Sequence, residues 1–432
     1  LSKAGVRIFG TSFDAIDIAE DRERFAAVLQ EMGIPQPEGR TATSVAATNQ
    51  IAEELGFPVL VRPSYVIGGR AMQVVYNLKE LEAYLRQAIY LSPAHPILVD
   101  KYLEGKEVEV DAVSDGETTV IPGIMEHIER AGVHSGDSLA VYPTQSLTWN
   151  EIKQIETITC RIARRLGVLG LINIQFVVVE GSVYVLEVNP RASRTVPILS
   201  KVTGVPLVKL AVQVSLGSKL RDLGYSGGLI PEAPYVAVKA PVFSFEKLTK
   251  VETSLGPEMK STGEVLGIDT SFAFALAKAF TAAQINLANG GTILVSVGPQ
   301  EMPEAMAITR EFARLGFKIK ATGDSCKALA LCGIEAEEVD EASEALRDAI
   351  RQRDFTFILS TPAKGKPTER MGYLLRRLAA EHRVPCFTSM DTAKAVIRAL
   401  QKLKRSSGTE TMALQEYLSK VNTPNVKSLT DS

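Results

Sequence analysis

The chain has 432 residues, 45% of them hydrophobic, and its 48 basic and 50 acidic residues leave a net charge of −2. That is enough apolar material for two or three domains with sizeable cores, and the basic residues are spread along the whole length, which argues against non-specific nucleic-acid binding. No apolar run approaches the ~18 residues needed to cross a bilayer, and no secretory signal stands at the start.

Residues 1–20 read as a strand, a turn and the start of a helix, as though a preceding domain had been entered near its end, so the chain is expected to be part of something longer. Residues 21–33 form a charged amphipathic helix that stops at Gly33, ahead of Ile34-Pro35. A helix at 44–56, a strand at 58–63, a glycine-bearing loop at 67–70, a short strand at 74–75 and a helix at 78–90 follow. Strands at 97–102 and 106–113 lead to a hairpin turn at Asp115-Gly116. Residues 123–137 hold His127, His134, Glu126, Glu129, Asp137 and several glycines, a density of polar groups that suggests a loop lining a site. A helix at 150–166 precedes a strand at 171–179, a turn read as the three residues Glu180-Gly181-Ser182, and a strand that ends in Glu-Val-Asn-Pro-Arg at 187–191. Helices at 207–216 and 271–283 flank a Pro/Gly-rich stretch, 224–267, expected to close the first domain.

After Asn289-Gly290-Gly291 the pattern alternates. Strands at 292–297, 317–321, 355–360 and 384–388 are interleaved with helices at 303–315, 325–332, 341–353, 369–381 and 391–404. Short connections between alternating strands and helices indicate a doubly wound, mostly parallel sheet. Residues 405–432 are polar and without period, and read as a loosely attached tail. Cys160, Cys326, Cys332 and Cys386 form no Cys-x-x-Cys pair and read as reduced core thiols of a cytosolic protein, without zinc or disulfides.

The segment at 187–191 carries the most chemistry. Glu187 and Asn189 are two residues apart, so on a strand both side chains point to one face. A three-residue turn would set Glu187 opposite Gln175, adding a third oxygen donor to the patch. Hard oxygen ligands suit Mg²⁺ shared with substrate phosphates, and Arg191 lies where it would neutralise phosphate charge. Glu-x-Asn alone reads better as a solvated hairpin edge; Gln175 in register and Pro190-Arg191 favour the metal. Gly68-Gly69 between Arg62 and Arg70 is either a plain hairpin turn or an anion-binding loop. It is no Walker A loop, because no Gly-Lys-Ser/Thr follows. His127 reads as a satisfied structural histidine and His134, beside Ser135, as a ligand contact; no zinc-ligand spacing is present. Glu107, Glu109 and Asp111 alternate on one strand, as a solvated face or as acceptors for ribose hydroxyls.

Taken in order, four blocks resemble the ATP-grasp fold, and more narrowly the C-terminal half of the carbamoyl-phosphate synthetase large subunit. They are Arg-Pro-Ser-Tyr-Val-Ile-Gly-Gly-Arg-Ala-Met at 62–72, Met-Glu-His-Ile-Glu-Arg-Ala-Gly-Val-His-Ser-Gly-Asp-Ser at 125–138, Glu-Val-Asn-Pro-Arg-Ala-Ser-Arg-Thr-Val-Pro at 187–197 and Leu-Gly-Pro-Glu-Met-Lys-Ser-Thr-Gly-Glu-Val at 255–265. The resemblance implies a remnant of a preceding domain at 1–20, an ATP-grasp domain at 21–287 and a methylglyoxal-synthase-like allosteric domain at 288–404. It implies Mg·ATP-dependent phosphorylation of carbamate to carbamoyl phosphate, in a cytoplasmic oligomer serving arginine or pyrimidine synthesis. The implied partners are a small glutamine amidotransferase subunit, the N-terminal synthetase half and a small-molecule effector, with no nucleic acid and no membrane. By resemblance, ATP would touch Arg24, Arg62, Gly68, Gly69, Lys101, Leu103, Glu107, Gly132, Val133, His134, Ser135, Gln175 and Glu187. Gln175, Glu187 and Asn189 would hold Mg²⁺ or Mn²⁺, and Arg191 and Arg194 would face the transferred phosphoryl group. Ornithine-activated members have an acid after the Val-Lys pair, where this chain has Ala240. Of the phosphate-binding set of uridylate-inhibited members, only the hydroxyls Thr322, Ser325 and Thr361 are found. Another ATP-grasp carboxylate ligase and a non-catalytic regulatory fragment are the alternatives.

Overall fold

The computed structural model describes residues 5–6, 8–63, 69, 71–91, 96–245, 247, 251–288, 290–362, 371–405 and 411–421. Gly68 and Arg70 of the glycine loop lie outside the described residues.

Ser12 caps helix α1 (Phe13–Glu20), and Asp21 caps α2 (Arg22–Glu31) by accepting from the amides of Glu23 and Arg24. There follow β1 (Gly39–Ala42), α3 (Val45–Leu55), β2 (Val59–Pro63), β3 (Gln73–Val75), α4 (Leu78–Leu91) and β4 (Ile97–Lys101). The strands form a small antiparallel sheet in the order β1-β4-β2-β3. Strand β1 was not expected: its Gly-Arg-Thr-Ala sequence has no apolar alternation, and pairing with β4 alone makes it a strand. One face of this sheet packs Val59, Val61, Val75 and Val99 against Leu81 and Leu85 of α4 and Ala52 of α3. The opposite face carries Leu60, Arg62, Leu98 and Asp100.

The second layer holds β5 (Lys106–Asp115), β6 (Thr119–Ile121), β7 (Ile124–Arg130), β8 (Ala140–Tyr142), α5 (Trp149–Arg165), β9 (Leu169–Val179) and β10 (Ser182–Asn189). It continues with α6 (Val196–Thr203), α7 (Leu207–Ser215), β11 (Gly228–Leu229), β12 (Val236–Phe243), β13 (Ser261–Asp269) and α8 (Phe272–Ala282). Its large sheet runs β10-β9-β5-β7-β8-β12-β13, with β6 and β11 to the side. Helix α5, held at its start by a Thr148–Glu151 capping box, buries Ile155, Ile158 and Ile162 against Val108, Val110, Ile174 and Phe176 of one face. The Pro/Gly-rich stretch supplies the antiparallel β12–β13 pair.

Two expectations are corrected here. Residues 124–130 are a buried strand of the large sheet, not a loop; His127 shares the face of Glu107 and Glu109, Glu126 pairs with Val108 on the other face, and only 131–139 is turn and bend. The β9–β10 turn has two residues, since Ser182 pairs with Val179. Glu180 (φ 48) and Gly181 (φ 80) both take positive φ, as a tight hairpin turn demands. A regular ladder from that turn would set Leu186 opposite Gln175. A bulge between Val185 and Glu187 absorbs Leu186 and restores Glu187 opposite Gln175.

The third unit alternates β14 (Thr292–Ser296), α9 (Met302–Leu315), β15 (Lys318–Thr322), α10 (Gly323–Leu331), β16 (Glu337–Val339), α11 (Glu344–Arg351), β17 (Phe357–Ser360), α12 (Met371–Glu381), β18 (Cys386–Phe387) and α13 (Met390–Leu403). All its strand pairs are parallel, in the order β16-β15-β14-β17-β18. Side chains from α9, α10 and α13 pack on one face, and α11 and α12 pack on the other. The first of these cores runs on into Phe272, Leu276 and Phe280 of α8 and Val238 of β12, so the second and third units share apolar packing. The segment after α13 is not loose throughout. Helix α14 (Leu414–Leu418) buries Tyr417, whose hydroxyl donates to Ile268 O at 3.0 Å and whose ring meets Tyr235 edge-on at 5.3 Å.

Candidate active site

Register alone gathers a polar patch on one face of the large sheet. Glu187 pairs with Gln175 and Asn189 with Asn173 across β10–β9, while Glu109 pairs with Gln175 and Asp111 with Asn173 across β5–β9. Directly paired residues share a face. Hydrogen bonds then link the patch. Asn189 Nδ2 donates to Glu187 Oε1 at 2.9 Å, and Asn173 Nδ2 donates to Glu109 Oε1 at 2.8 Å and Asp111 Oδ1 at 3.1 Å. Gln175 Nε2 donates to Ser135 Oγ at 3.1 Å, which ties the 131–139 connection to the patch. His127 is a buried wedge, with Nδ1 3.6 Å from Glu107 and Nε2 3.6 Å from Glu109.

So many buried acids separate in their proton affinity. Burial, only partly offset by His127, pushes Glu107 up to about 7. Burial and the neighbouring Glu109 push Asp111 up to about 7 as well. Glu109 is equally buried, yet His127, Lys239 and Asn173 hold it below the usual carboxylate range. Burial lowers Lys239, whose Nζ donates to Ser135 O at 2.6 Å. Burial also lowers His134. Its Nδ1 accepts from Gly136 N at 3.0 Å, so the neutral ring carries its proton on Nε2 as a donor.

Arg191 and Arg194 border this patch. Arg191 donates to Asn189 Oδ1 at 3.1 Å. Arg194 donates to Ser261 Oγ at 2.8 Å and lies 3.5 Å from Glu264. Arg62 projects from the face of the small sheet that bears Leu98, and its Nε is buried without a hydrogen-bond partner among the described residues. An orphaned guanidinium nitrogen suits an incoming anion. With the carboxylate of Glu187 and the amide oxygens of Gln175 and Asn189, the donor set fits a hard divalent cation bearing phosphates.

Other predicted contacts fall differently. Arg24 pairs with Asp14 and Asp17 on the outer side of α1 and α2. Arg22, which sequence reasoning missed, turns inward instead: it pairs with Asp100 of β4 at 2.8 Å and donates to Leu186 O of β10 at 3.4 Å. It thus bridges the two sheets, beside a cavity of about 550 Å³ that it lines with Gln36, Arg40 and Leu98. The Lys101 side chain donates to Gly56 O at 2.7 Å, at the end of α3, on the side of β4 opposite Leu98 and Asp100. Leu103 and Tyr102 lie half-buried in the segment crossing from one sheet to the other. Gly132 takes a left-handed backbone (φ 100), and a Cβ there would crowd the Tyr102 ring at 3.0 Å; Val133, His134 and Ser135 follow it, half-buried. Gly69 (φ 70) abuts the block at 255–265, where a Cβ would meet Pro257 O at 2.0 Å. In the parallel unit, Ser325 Oγ accepts from Val297 N at 3.2 Å and Thr361 Oγ1 from Gly298 N at 3.4 Å. Those hydroxyls, with Thr322, stand at the carboxyl ends of the strands, where open α/β sheets bind ligands.

Known proteins are similar to the chain over its whole length. Residues 21–223 match the family described as carbamoyl-phosphate synthase L chain, ATP binding domain, and residues 304–388 match the MGS-like domain. The carbamoyl phosphate synthase large chain of Thermoanaerobacter sp. (strain X514) is 52% identical over 431 residues, 99% of this chain. The chain belongs to the carbamoyl-phosphate synthase large-chain family. The large chain of Caldanaerobacter subterraneus subsp. tengcongensis is likewise 52% identical over 99% of this chain. The chain spans 40% of the length of both relatives and corresponds to their C-terminal half. Among solved structures, the biotin carboxylase domain of Hydrogenobacter thermophilus 2-oxoglutarate carboxylase superposes with a TM-score of 0.54 at 20% identity, over 65% of this chain and 69% of that one. At that identity the likeness speaks for the fold alone, which is ATP-grasp.

Proposed function

We propose that the chain binds Mg·ATP between the small sheet and the polar face of the large sheet, and transfers the γ-phosphoryl group to carbamate, giving carbamoyl phosphate and ADP. The observation that carries this reading is the convergence of Gln175, Glu187 and Asn189 on one side of the β9–β10 ladder. These three would hold Mg²⁺, or Mn²⁺ in its place; when bound, the ion neutralises charge on the phosphate oxygens. Arg191 and Arg194, just beyond the strand, stabilise charge on the group in flight. Arg62 takes a phosphate oxygen with its buried Nε, which has no partner among the described residues, and neutral His134 offers an N–H without adding charge. Glu107 accepts ribose hydroxyls. No covalent intermediate with the protein is needed; positioning and charge neutralisation supply the rate. Water is kept out by the closing of the two sheets, which matters for an unstable carbamate. The Hydrogenobacter domain of the same fold was solved with MgADP and bicarbonate, a planar oxyanion much like carbamate, which supports the reading.

In this reading the parent enzyme is cytoplasmic and oligomeric, its N-terminal half and a small glutamine amidotransferase subunit supply the carbamate, and its product feeds arginine or pyrimidine synthesis. A small-molecule effector binds within 288–404. The surroundings argue against ornithine as that effector: Ala240, in place of the acid of ornithine-activated members, is buried in the apolar core shared with α8, and the other two acids of that site are already engaged, Glu129 by Thr392 Oγ1 at 2.6 Å and Leu139 N at 2.8 Å and Asp137 by the amides of Lys260 and Ser261. The test is ATP formation from ADP and carbamoyl phosphate by the isolated chain. Glu187→Ala should lower the rate roughly a hundredfold or more with the fold intact; near-normal turnover would refute the assignment.

A further inference from the structure

We propose that Asp111 is a positioning residue that fixes the arginine-bearing loop 190–195 from both ends. Asp111, Asn173 and Thr195 are all buried, at 0%, 2% and 1% exposure, and form the floor beneath that loop. One arm runs through Asn173, which donates to Asp111 Oδ1 at 3.1 Å. The Asn173 carbonyl oxygen accepts from Asn189 Nδ2 at 3.5 Å, and Asn189 Oδ1 accepts from Arg191. The other arm runs through Thr195, whose hydroxyl donates to Asp111 Oδ2. Thr195 Oγ1 also meets Ser193 Oγ at 2.7 Å, a contact in which either hydroxyl can donate. Ser193 Oγ in turn accepts from Thr195 N at 3.1 Å. Thr195 stands at the N-cap of α6 yet makes no capping bond; its side chain is given to Asp111 instead. One carboxylate therefore sets where the loop leaves β10 and where it enters α6, and with them Arg191 and Arg194.

The geometry makes Thr195→Val the informative variant, since it removes the hydroxyl, keeps the volume close and forfeits no helix cap. Asp111→Asn tests the same bond from the other side. The kinetic part of the test rests on the phosphoryl-transfer reading, so each variant is also followed by amide hydrogen exchange in residues 191–196, with β14 as the fold control. Thr195→Val is expected to lower kcat for ATP formation roughly tenfold, to leave KM for Mg·ADP within about twofold, and to speed exchange in 191–196 without change in β14. Thr195→Ser should stay close to the parent, and the Asp111→Asn/Thr195→Val double variant should be no worse than Asp111→Asn. Exchange and kcat unchanged in Thr195→Val, or single effects that multiply in the double variant, would overturn the proposal. A parent chain that makes no ATP would count against the phosphoryl-transfer reading, and the exchange comparison would then decide the role of Asp111 alone.

Discussion

Glu107 shows how much a single buried carboxyl can report. Its pKa of about 7 lies above that of an exposed glutamate because burial penalises the charge. The folded state then holds a proton that the unfolded chain releases, so this group's contribution to stability falls as pH rises from about 4.5 to 7. Glu107→Gln removes that contribution. The difference in melting temperature between variant and parent should move in the variant's favour between pH 5 and pH 7.5, by differential scanning calorimetry; a pH-independent difference would contradict the burial argument. At this scale the sequence was partly legible. Glu187 and Asn189 share a face because strand side chains alternate. The choice between Arg22 and Arg24 was not legible, because two residues turn a helix by about 200° and nothing local says which side meets β4. The partners that decide it, Asp100 and Leu186, are far away in sequence.

At the scale of elements, the β9–β10 hairpin reached the expected pairing by another route. The sequence was read with a three-residue turn, and the structure combines a two-residue turn with a bulge at Leu186. Both give the same register beyond the bulge, so the pairing was legible while its cause was not. Strand β7 was misread because glycines and charges were counted without its neighbours β5 and β8, whose pairing makes it a strand. Close contact of α8 with β13 is a second device invisible in sequence. A Cβ on Gly267 would meet Ala275 O at 2.1 Å and Ala279 N at 2.5 Å. Gly267→Ala should therefore destabilise by about 1–3 kcal/mol, read as a lower denaturant midpoint, and an unchanged midpoint would mean that the helix shifts freely.

For the molecule as a whole, the alternating third unit was the most legible part, since period and connection length alone dictate a parallel sheet. What joins it to the rest was not legible. Thr392 donates to Glu129, Arg376 grips Glu252 through two bonds at 3.0 and 2.8 Å, and Tyr417 returns from beyond α13 to the second unit, where Lys278 Nζ donates to its hydroxyl at 3.2 Å. Tyr417→Ala should cost about 3 kcal/mol and Tyr417→Phe about 1 kcal/mol, as measured by chemical denaturation. Equal effects would mean that the ring's packing contributes nothing.

The convergence of oxygen donors on the β9–β10 ladder is tested most directly by locating a cation. Crystals grown with Mn²⁺ and ADP should show one anomalous peak within roughly 2.5 Å of oxygens from Gln175, Glu187 and Asn189. A nucleotide-bound peak that touches none of these three would contradict the account.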